Sequence, residues 1–179
     1  RQIIKDKPNA KIVFDVKCSK LLSDEIMKLG GKPLICKTGH TFIKQKIREE
    51  EAFLGGEMSG HIFFNDRWPG FDDGIYAGAR MLEIIASSEE ENIFDSIPKM
   101  FSTPEINVSS TDEEKFQIVE QFKNNYNIEN ANIIDIDGIR IEFEKGWGLL
   151  RASNTSPVLV LRFEAETKVE LLKIKNMFL

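Results

Sequence analysis

"KIVFDVKCSKLLSDEIMKLGGKPLICK", residues 11–37, runs through a strand, a helix and a second strand without a break. Lys11–Asp15 is a short apolar run, as a buried strand requires. Ser19 follows at the place of a helix N-cap, where a hydroxyl accepts from amides two or three residues further on. Leu21, Leu22, Ile26, Met27 and Leu29 then recur at helical spacing as far as the terminator Gly30-Gly31, and "PLICK" (33–37) resumes the strand pattern. This alternation predicts a layered α/β domain.

The same pattern extends outward. Thr41 is expected to cap a helix through Ile43 and Ile47, and "FLGG" (53–56) and "HIFF" (61–64) read as short strands. From Asp72-Asp73 a helix carries Ile75, Ala79, Leu82 and Ile85-Ala86 along one face and ends in the polar run "SSEEEN" (87–92). A turn, "IFDSIPKMF", and Thr103-Pro104 mark a boundary, which gives domains at 1–88 and 105–179 with a linker at 89–104. In the second domain Thr111 and Glu114 form a capping box for a helix through Phe116, Val119 and Phe122. "NIIDIDGIRIEF" (132–143) is a hairpin joined at Asp137-Gly138, and "WGLLRASNTSPVLVLRFEA" (147–165) sets a polar loop between two strands. Thr167 and Glu170 cap a last helix. The fold class is therefore α/β: a layered α/β/α domain followed by a smaller α+β domain with an antiparallel sheet, with no internal repeat.

Composition narrows the function. A net charge of −5 argues against a nucleic-acid partner, whose phosphates need many Lys and Arg contacts. No apolar run reaches the length of a membrane span, and no signal-peptide core follows the basic start, so a cytoplasmic protein with no membrane partner is expected. Cys18 and Cys36 have no metal-site spacing, which suits a reducing compartment. The chain begins at Arg1 rather than methionine, as expected of a processed chain or a piece of a longer one.

The candidate chemistry lies in loops. The only two histidines each follow a glycine, in "KTGH" (37–40) and "SGH" (59–61). Either alone is commonly structural, but two in matching turns at strand edges suggest a shared site suited to proton transfer near neutrality. In "GEMSGH" the residues Glu57, Ser59 and His61 alternate, so an extended segment would present all three on one side, while Gly55, Gly56 and Gly60 supply positive-φ turns. A carboxylate, a hydroxyl and an imidazole in a row suit a ligand with several hydroxyls, such as a sugar; the bland alternative is an ordinary hairpin turn. "RASNTSP" (151–157) reads either as a polar turn or as an anion cradle in which Arg151, Ser153, Asn154, Thr155 and backbone amides surround a phosphate. Lys17 and Lys37 close strands, where ligands of open α/β sheets gather. "DRWPGFDDG" (66–74) reads as a rigid turn with an aromatic lid and a helix cap at Asp72 or Asp73, with no assigned chemistry.

Taken together, "FDVKCS", "KTGH", "GGEMSGHIFF", "DRW", "GFDDGIYAGARMLE" and "RASNTSPVLVLRFEA" resemble the third and fourth domains of bacterial phosphomannomutase/phosphoglucomutase enzymes of the α-D-phosphohexomutase superfamily. The resemblance spans nearly the whole chain except 87–110. It implies the substrate-recognition half of an enzyme that interconverts hexose 1-phosphate and hexose 6-phosphate, of glucose or mannose, through a hexose 1,6-bisphosphate intermediate. Such an enzyme uses a phosphoserine and a Mg²⁺ loop in N-terminal catalytic domains, partners of this region. No Ser-His-Asn-Pro run or Asp-Gly-Asp-Gly-Asp loop occurs here, so this region alone is expected to be inactive. By resemblance, Glu57 and Ser59 hold sugar hydroxyls, His61, His40 and Lys17 belong to the catalytic set, and Arg151, Ser153, Asn154 and Thr155 grip the phosphate that is not transferred. Met58 resembles the hexose-specific members. The rival reading is a stand-alone sugar-phosphate-binding or regulatory module.

Overall fold

The computed structural model describes residues 1–89, 92–125 and 131–179. It divides into two compact units, Arg1–Pro98 and Lys99–Leu179. Residues 90 and 91 of the "SSEEEN" run lie outside the described residues.

The first unit is built on a four-stranded sheet of β1 (Lys11–Asp15), β2 (Lys32–Cys36), β3 (Leu54–Gly56) and β4 (Ile62–Phe64), in the order β2-β1-β3-β4. β1 is parallel to both β2 and β3, and β4 runs antiparallel to β3. Side-chain alternation along β1 sorts the core into two layers. Ile12 and Phe14 pack with Ile3 and Ile4 of α1 (Gln2–Asp6), Ile26 of α2 (Lys20–Lys28) and Tyr76 of α4 (Gly74–Ser87). Val13 faces the other way, onto Ile43 and Ile47 of α3 (His40–Glu50). The result is the expected α/β/α layering.

Local signals hold at α2, where Ser19 accepts from the Leu21 amide at 3.2 Å. They shift at α3: Gly39 is the N-cap and His40 the first helical residue, so Thr41 lies inside the helix. The glycines before the 57–61 turn also differ from expectation. Only Gly60 has a positive φ, 95°, whereas Gly55 and Gly56 lie within β3. Gly55 is there for closeness, since a Cβ would meet Ile47 at 2.5 Å and Ile43 at 2.7 Å. The predicted face of α4 turns outward, with Ile75 89% and Leu82 68% exposed, and the buried residue of this helix is Arg80.

The second unit is an antiparallel sheet ordered β5-β10-β9-β8-β7, with β6 also pairing with β10. Its strands are β5 (Phe101–Ser102), β6 (Ile106–Ser109), β7 (Asn132–Ile134), β8 (Ile139–Phe143), β9 (Gly146–Ala152) and β10 (Val158–Ala165). β5 falls in the stretch expected to be linker and pairs with Glu164 and Ala165. Helices α5 (Glu114–Asn125) and α6 (Lys168–Phe178) cover one face, packing Val119, Ile174 and Phe178 on Ile139, Ile141, Leu150, Leu161 and Phe163. Both begin as expected, with Thr111 and Thr167 hydroxyls accepting from the amides of Glu114 and Glu170. On the opposite face, buried Trp147 donates to Glu164 at 2.9 Å and carries the Arg140 guanidinium 3.9 Å from its ring centroid.

Candidate functional site

Because β1, β2 and β3 are parallel, their carboxyl ends share one edge of the first sheet. Lys17 follows β1, the segment Lys37–His40 follows β2, and the turn Glu57–His61 follows β3. All five candidates of the first unit therefore belong to one sheet edge, the usual ligand edge of an open α/β sheet. Direct contacts tie these loops together: Thr38 Oγ1 donates to Asp15 Oδ2 at 3.3 Å and the Met58 amide donates to Asp15 Oδ1 at 3.2 Å.

The 57–61 segment is not extended. The Glu57 amide donates to the His61 carbonyl at 2.9 Å and the Gly60 amide to the Glu57 carbonyl at 3.0 Å, which closes a tight turn between β3 and β4. The turn brings Ser59 Oγ within 3.4 Å of Glu57 Oε2. Glu57 Oε1 is buried and has no hydrogen-bond partner among the described residues. A buried acceptor left in that condition costs roughly 1–3 kcal/mol unless a donor reaches it. The half-exposed His61 has Nδ1 2.8 Å from Asp72 Oδ2. A carboxylate on Nδ1 fixes the ring and favours the tautomer that leaves Nε2 available for proton transfer.

Asp72 joins the candidate site through His61, a partnership that its sequence context did not reveal. Of the two adjacent aspartates, Asp73 takes the capping role by accepting from the Tyr76 amide at 2.9 Å, which leaves Asp72 for His61. The loop that carries Asp72 is fastened by Asp66, whose two oxygens accept from Arg80 at 2.7 and 2.8 Å. Burial works to raise the Asp66 carboxyl, but the Arg80 bonds and charge, with backbone donors, outweigh it and hold it below the usual carboxylate range. The Arg80 guanidinium lies 4.5 Å from the Phe64 ring centroid, and Trp68 stacks on Tyr76 at 4.5 Å, so the aromatic residues of this loop pack onto α4.

In the second unit the loop 153–157 joins β9 to β10. Arg151, only 4% exposed, donates from Nε to Asp137 Oδ2 at 3.1 Å. Asp137 sits in the β7–β8 turn, where Gly138 has φ 75° and a Cβ would meet the Leu150 carbonyl at 2.3 Å. That glycine lets the turn lie against the strand of Arg151. Ser153 is buried and its hydroxyl accepts from the Thr155 and Ser156 amides at 3.3 and 3.2 Å. Those amides were expected to cradle an anion, and here they fasten the loop to itself. Lys115, buried on α5, reaches the Ser156 carbonyl at 3.1 Å and Asp112 at 2.7 Å. Asn154 and Thr155 are exposed at the tip. The signals for Asp137 and Lys115 are a polar residue in a turn and a lysine in a first helical turn, both too common to single out.

Among the described residues no three His, Cys, Asp or Glu side chains converge to hold a metal ion. The described residues therefore do not fit the Mg²⁺ that the family resemblance implies. No helix of the described residues is long and apolar enough to cross a membrane.

Comparison with known proteins matches both units to one family. Residues 1–101 match the family model for phosphoglucomutase/phosphomannomutase, alpha/beta/alpha domain III, and residues 105–179 match that for the phosphoglucomutase/phosphomannomutase C-terminal domain. A phosphomannomutase/phosphoglucomutase of Pseudomonas aeruginosa is 49% identical over 180 residues, covering 99% of this chain and 39% of the relative. The chain thus spans about two fifths of the length of such curated relatives. A crystal structure of a phosphoglucomutase/phosphomannomutase family protein from Burkholderia thailandensis superimposes with TM-score 0.90 at 42% identity, over 98% of this chain and 37% of that one. The N-acetylphosphoglucosamine mutase of Aspergillus fumigatus, solved in complex with GlcNAc-6P and magnesium, shares the fold at TM-score 0.62 and 15% identity, over 98% of this chain and 39% of that one. The chain belongs to the phosphoglucomutase/phosphomannomutase family, of which it carries domain III and the C-terminal domain.

Proposed function

We propose that this chain is the substrate-recognition half of a phosphohexomutase that interconverts the 1- and 6-phosphates of glucose or mannose through a bisphosphorylated sugar. The observation that carries the reading is Glu57 Oε1, a buried acceptor with no partner beside the Ser59 hydroxyl, at the ligand edge of the sheet. Two adjacent sugar hydroxyls supply the donors such a carboxylate lacks. His61, oriented by Asp72, takes or returns the proton of the reacting hydroxyl through Nε2, and Lys17 and His40 attend the substrate's oxygens from the neighbouring loops. Arg151, with Nε engaged by Asp137, uses its Nη groups with Asn154 and Thr155 to hold the phosphate that does not react, while Ser153 shapes their loop. Holding one phosphate while the other reacts is catalysis by orientation. The phosphoryl-donor serine and the Mg²⁺ loop are assigned to other domains of the complete enzyme, in keeping with the 39% coverage of the Pseudomonas aeruginosa relative.

The test pairs two preparations. The complete protein is expected to convert glucose 1-phosphate to glucose 6-phosphate with Mg²⁺ and catalytic glucose 1,6-bisphosphate, and the 179-residue chain alone to show no conversion. Activity of the isolated chain that survives immunodepletion of host enzyme overturns the division of labour. A complete protein that binds hexose phosphates without converting them favours the regulatory module instead.

A further inference from the structure

We infer that Asp15 is the positioning residue that sets the three substrate loops of the first unit in register, an inference that rests on the sugar-reading role proposed for the 57–61 turn. Asp15 ends β1, the strand between β2 and β3, and is fully buried, an uncommon place for a carboxylate. Each contact of its side chain belongs to a different loop of the sheet edge. Oδ1 accepts from Cys18 Sγ at 3.1 Å, beside Lys17, and from the Met58 amide at 3.2 Å, between Glu57 and Ser59. Oδ2 accepts from Thr38 Oγ1 at 3.3 Å, in the turn that leads to His40. The backbone carbonyl of Asp15 also takes the Cys18 amide at 3.1 Å.

A carboxylate is the side chain this position needs. It is acceptor-only on both oxygens, so it satisfies three donors arriving from two sides without presenting a donor of its own. Asparagine keeps the shape but replaces one acceptor with an NH₂ group; with that group turned to the Thr38 hydroxyl, which can accept as well as donate, the Cys18 and Met58 donors face a neutral carbonyl in place of a charged oxygen. The strand fixes the Asp15 Cα, so the two oxygens transmit the position of β1 to the loops after β2 and β3. Asp15 reaches no exposed surface and acts through Glu57, Ser59 and His40 rather than on the substrate itself.

The experiment uses Asp15→Asn and Thr38→Val in the complete protein, read by amide hydrogen exchange and by steady-state kinetics with glucose 1-phosphate. In Asp15→Asn, exchange in segments 37–40 and 57–61 is expected to quicken roughly tenfold, the worth of one charge-assisted hydrogen bond, with β1 and β2 unchanged. KM is expected to rise by about the same factor, with a smaller fall in kcat. Thr38→Val removes one donor and leaves the carboxylate, so it is expected to loosen 37–40 alone. Unchanged exchange at 57–61 in Asp15→Asn overturns the inference whatever the kinetics. Faster exchange there with unaltered KM keeps the tether but removes the turn from substrate reading, which overturns the proposed site. If Asp15→Asn does not fold, Thr38→Val decides: unaltered exchange at 37–40 overturns the inference.

Discussion

The turn at 57–61 and the loop at 153–157 both connect neighbouring antiparallel strands, yet they treat their polar groups in opposite ways. In the first, the backbone closes on itself while the side chains stay open: Glu57 Oε1 has no partner among the described residues, Ser59 is exposed and His61 half-exposed. In the second, the side chains hold the loop from beneath. Ser153 takes two amides, Lys115 takes a carbonyl and Arg151 is paired with Asp137 before any ligand arrives. The difference teaches where mutational effects should fall. Changes in the turn are expected to alter ligand behaviour with little effect on folding, whereas changes around the loop should alter both.

The largest expected effect tests the open turn. His61→Ala in the complete protein is expected to lower turnover by about 10²–10⁴-fold, the usual contribution of a general acid or base, with an unchanged thermal midpoint. Asp72→Asn keeps the ring but not the carboxylate, and a smaller loss is expected. Near-normal turnover of His61→Ala between pH 6 and 8 would assign the proton to His40 or to neither.

Next come two buried ion pairs, one taken from each unit. Arg151→Ala takes the guanidinium away from the Asp137 carboxylate and is expected to destabilise the second unit by about 3–5 kcal/mol in urea unfolding, besides weakening glucose 1-phosphate binding. Arg151→Lys should recover part of the binding, since an ammonium lacks the guanidinium fork. Asp66→Asn takes the buried charge from Arg80, which keeps Tyr76 and Glu83, so a smaller cost of about 1–3 kcal/mol is expected; it sharpens the comparison because the first unit has its scaffolding below the site rather than in it. Its pH dependence has a definite sign. An unfolded aspartate titrates at about 3.9 and folded Asp66 lower, so the stabilisation is complete above the unfolded value and is lost as pH falls from there through the folded one. Thermal midpoints of wild type and Asp66→Asn should converge on acidification. Parallel curves would place the acid-sensitive group elsewhere.

These residues also show what the sequence makes legible. Caps at Ser19, Thr111 and Thr167 and the strand ends just before Lys17 and Lys37 follow from signals within a few residues, and the structure keeps them. Pairings such as Asp15 with Met58, 43 residues apart, or Arg151 with Asp137, 14 apart, depend on strand order and leave no local trace. The alternation of Glu57, Ser59 and His61 misled because a two-residue period means one face only in an extended chain, and the bond from Glu57 to the His61 carbonyl closes a turn instead. The outward face of α4 shows the same limit, since periodicity reveals that a helix has an apolar side but not what that side meets.

Glu57→Gln is the milder test of the turn. Replacing one carboxylate oxygen by an amide is expected to weaken hexose phosphate binding by about 1.5–3 kcal/mol, with folding stability unchanged. Equal affinity for glucose and mannose phosphates before and after the change would leave Glu57 a structural residue of the hairpin.

The smallest expected effect separates the two plans most cleanly. Ser153 resembles a phosphate ligand in its motif, but its hydroxyl already accepts the Thr155 and Ser156 amides, and its own amide donates to the Val158 carbonyl at 3.0 Å. A group so engaged contributes to the shape of the loop, so Ser153→Ala should appear in stability first, by about 0.5–1.5 kcal/mol, with faster amide exchange at 155 and 156. Affinity for glucose 1-phosphate should fall less than in either Arg151 variant. The guanidinium is held by Asp137 independently of Ser153, and the two released amides become available to the anion as backbone donors. Titration at several salt concentrations, against unphosphorylated glucose, measures the phosphate contribution alone. A loss matching Arg151→Ala, with stability and exchange unchanged, would put the Ser153 hydroxyl on the phosphate and make the second loop as open as the first.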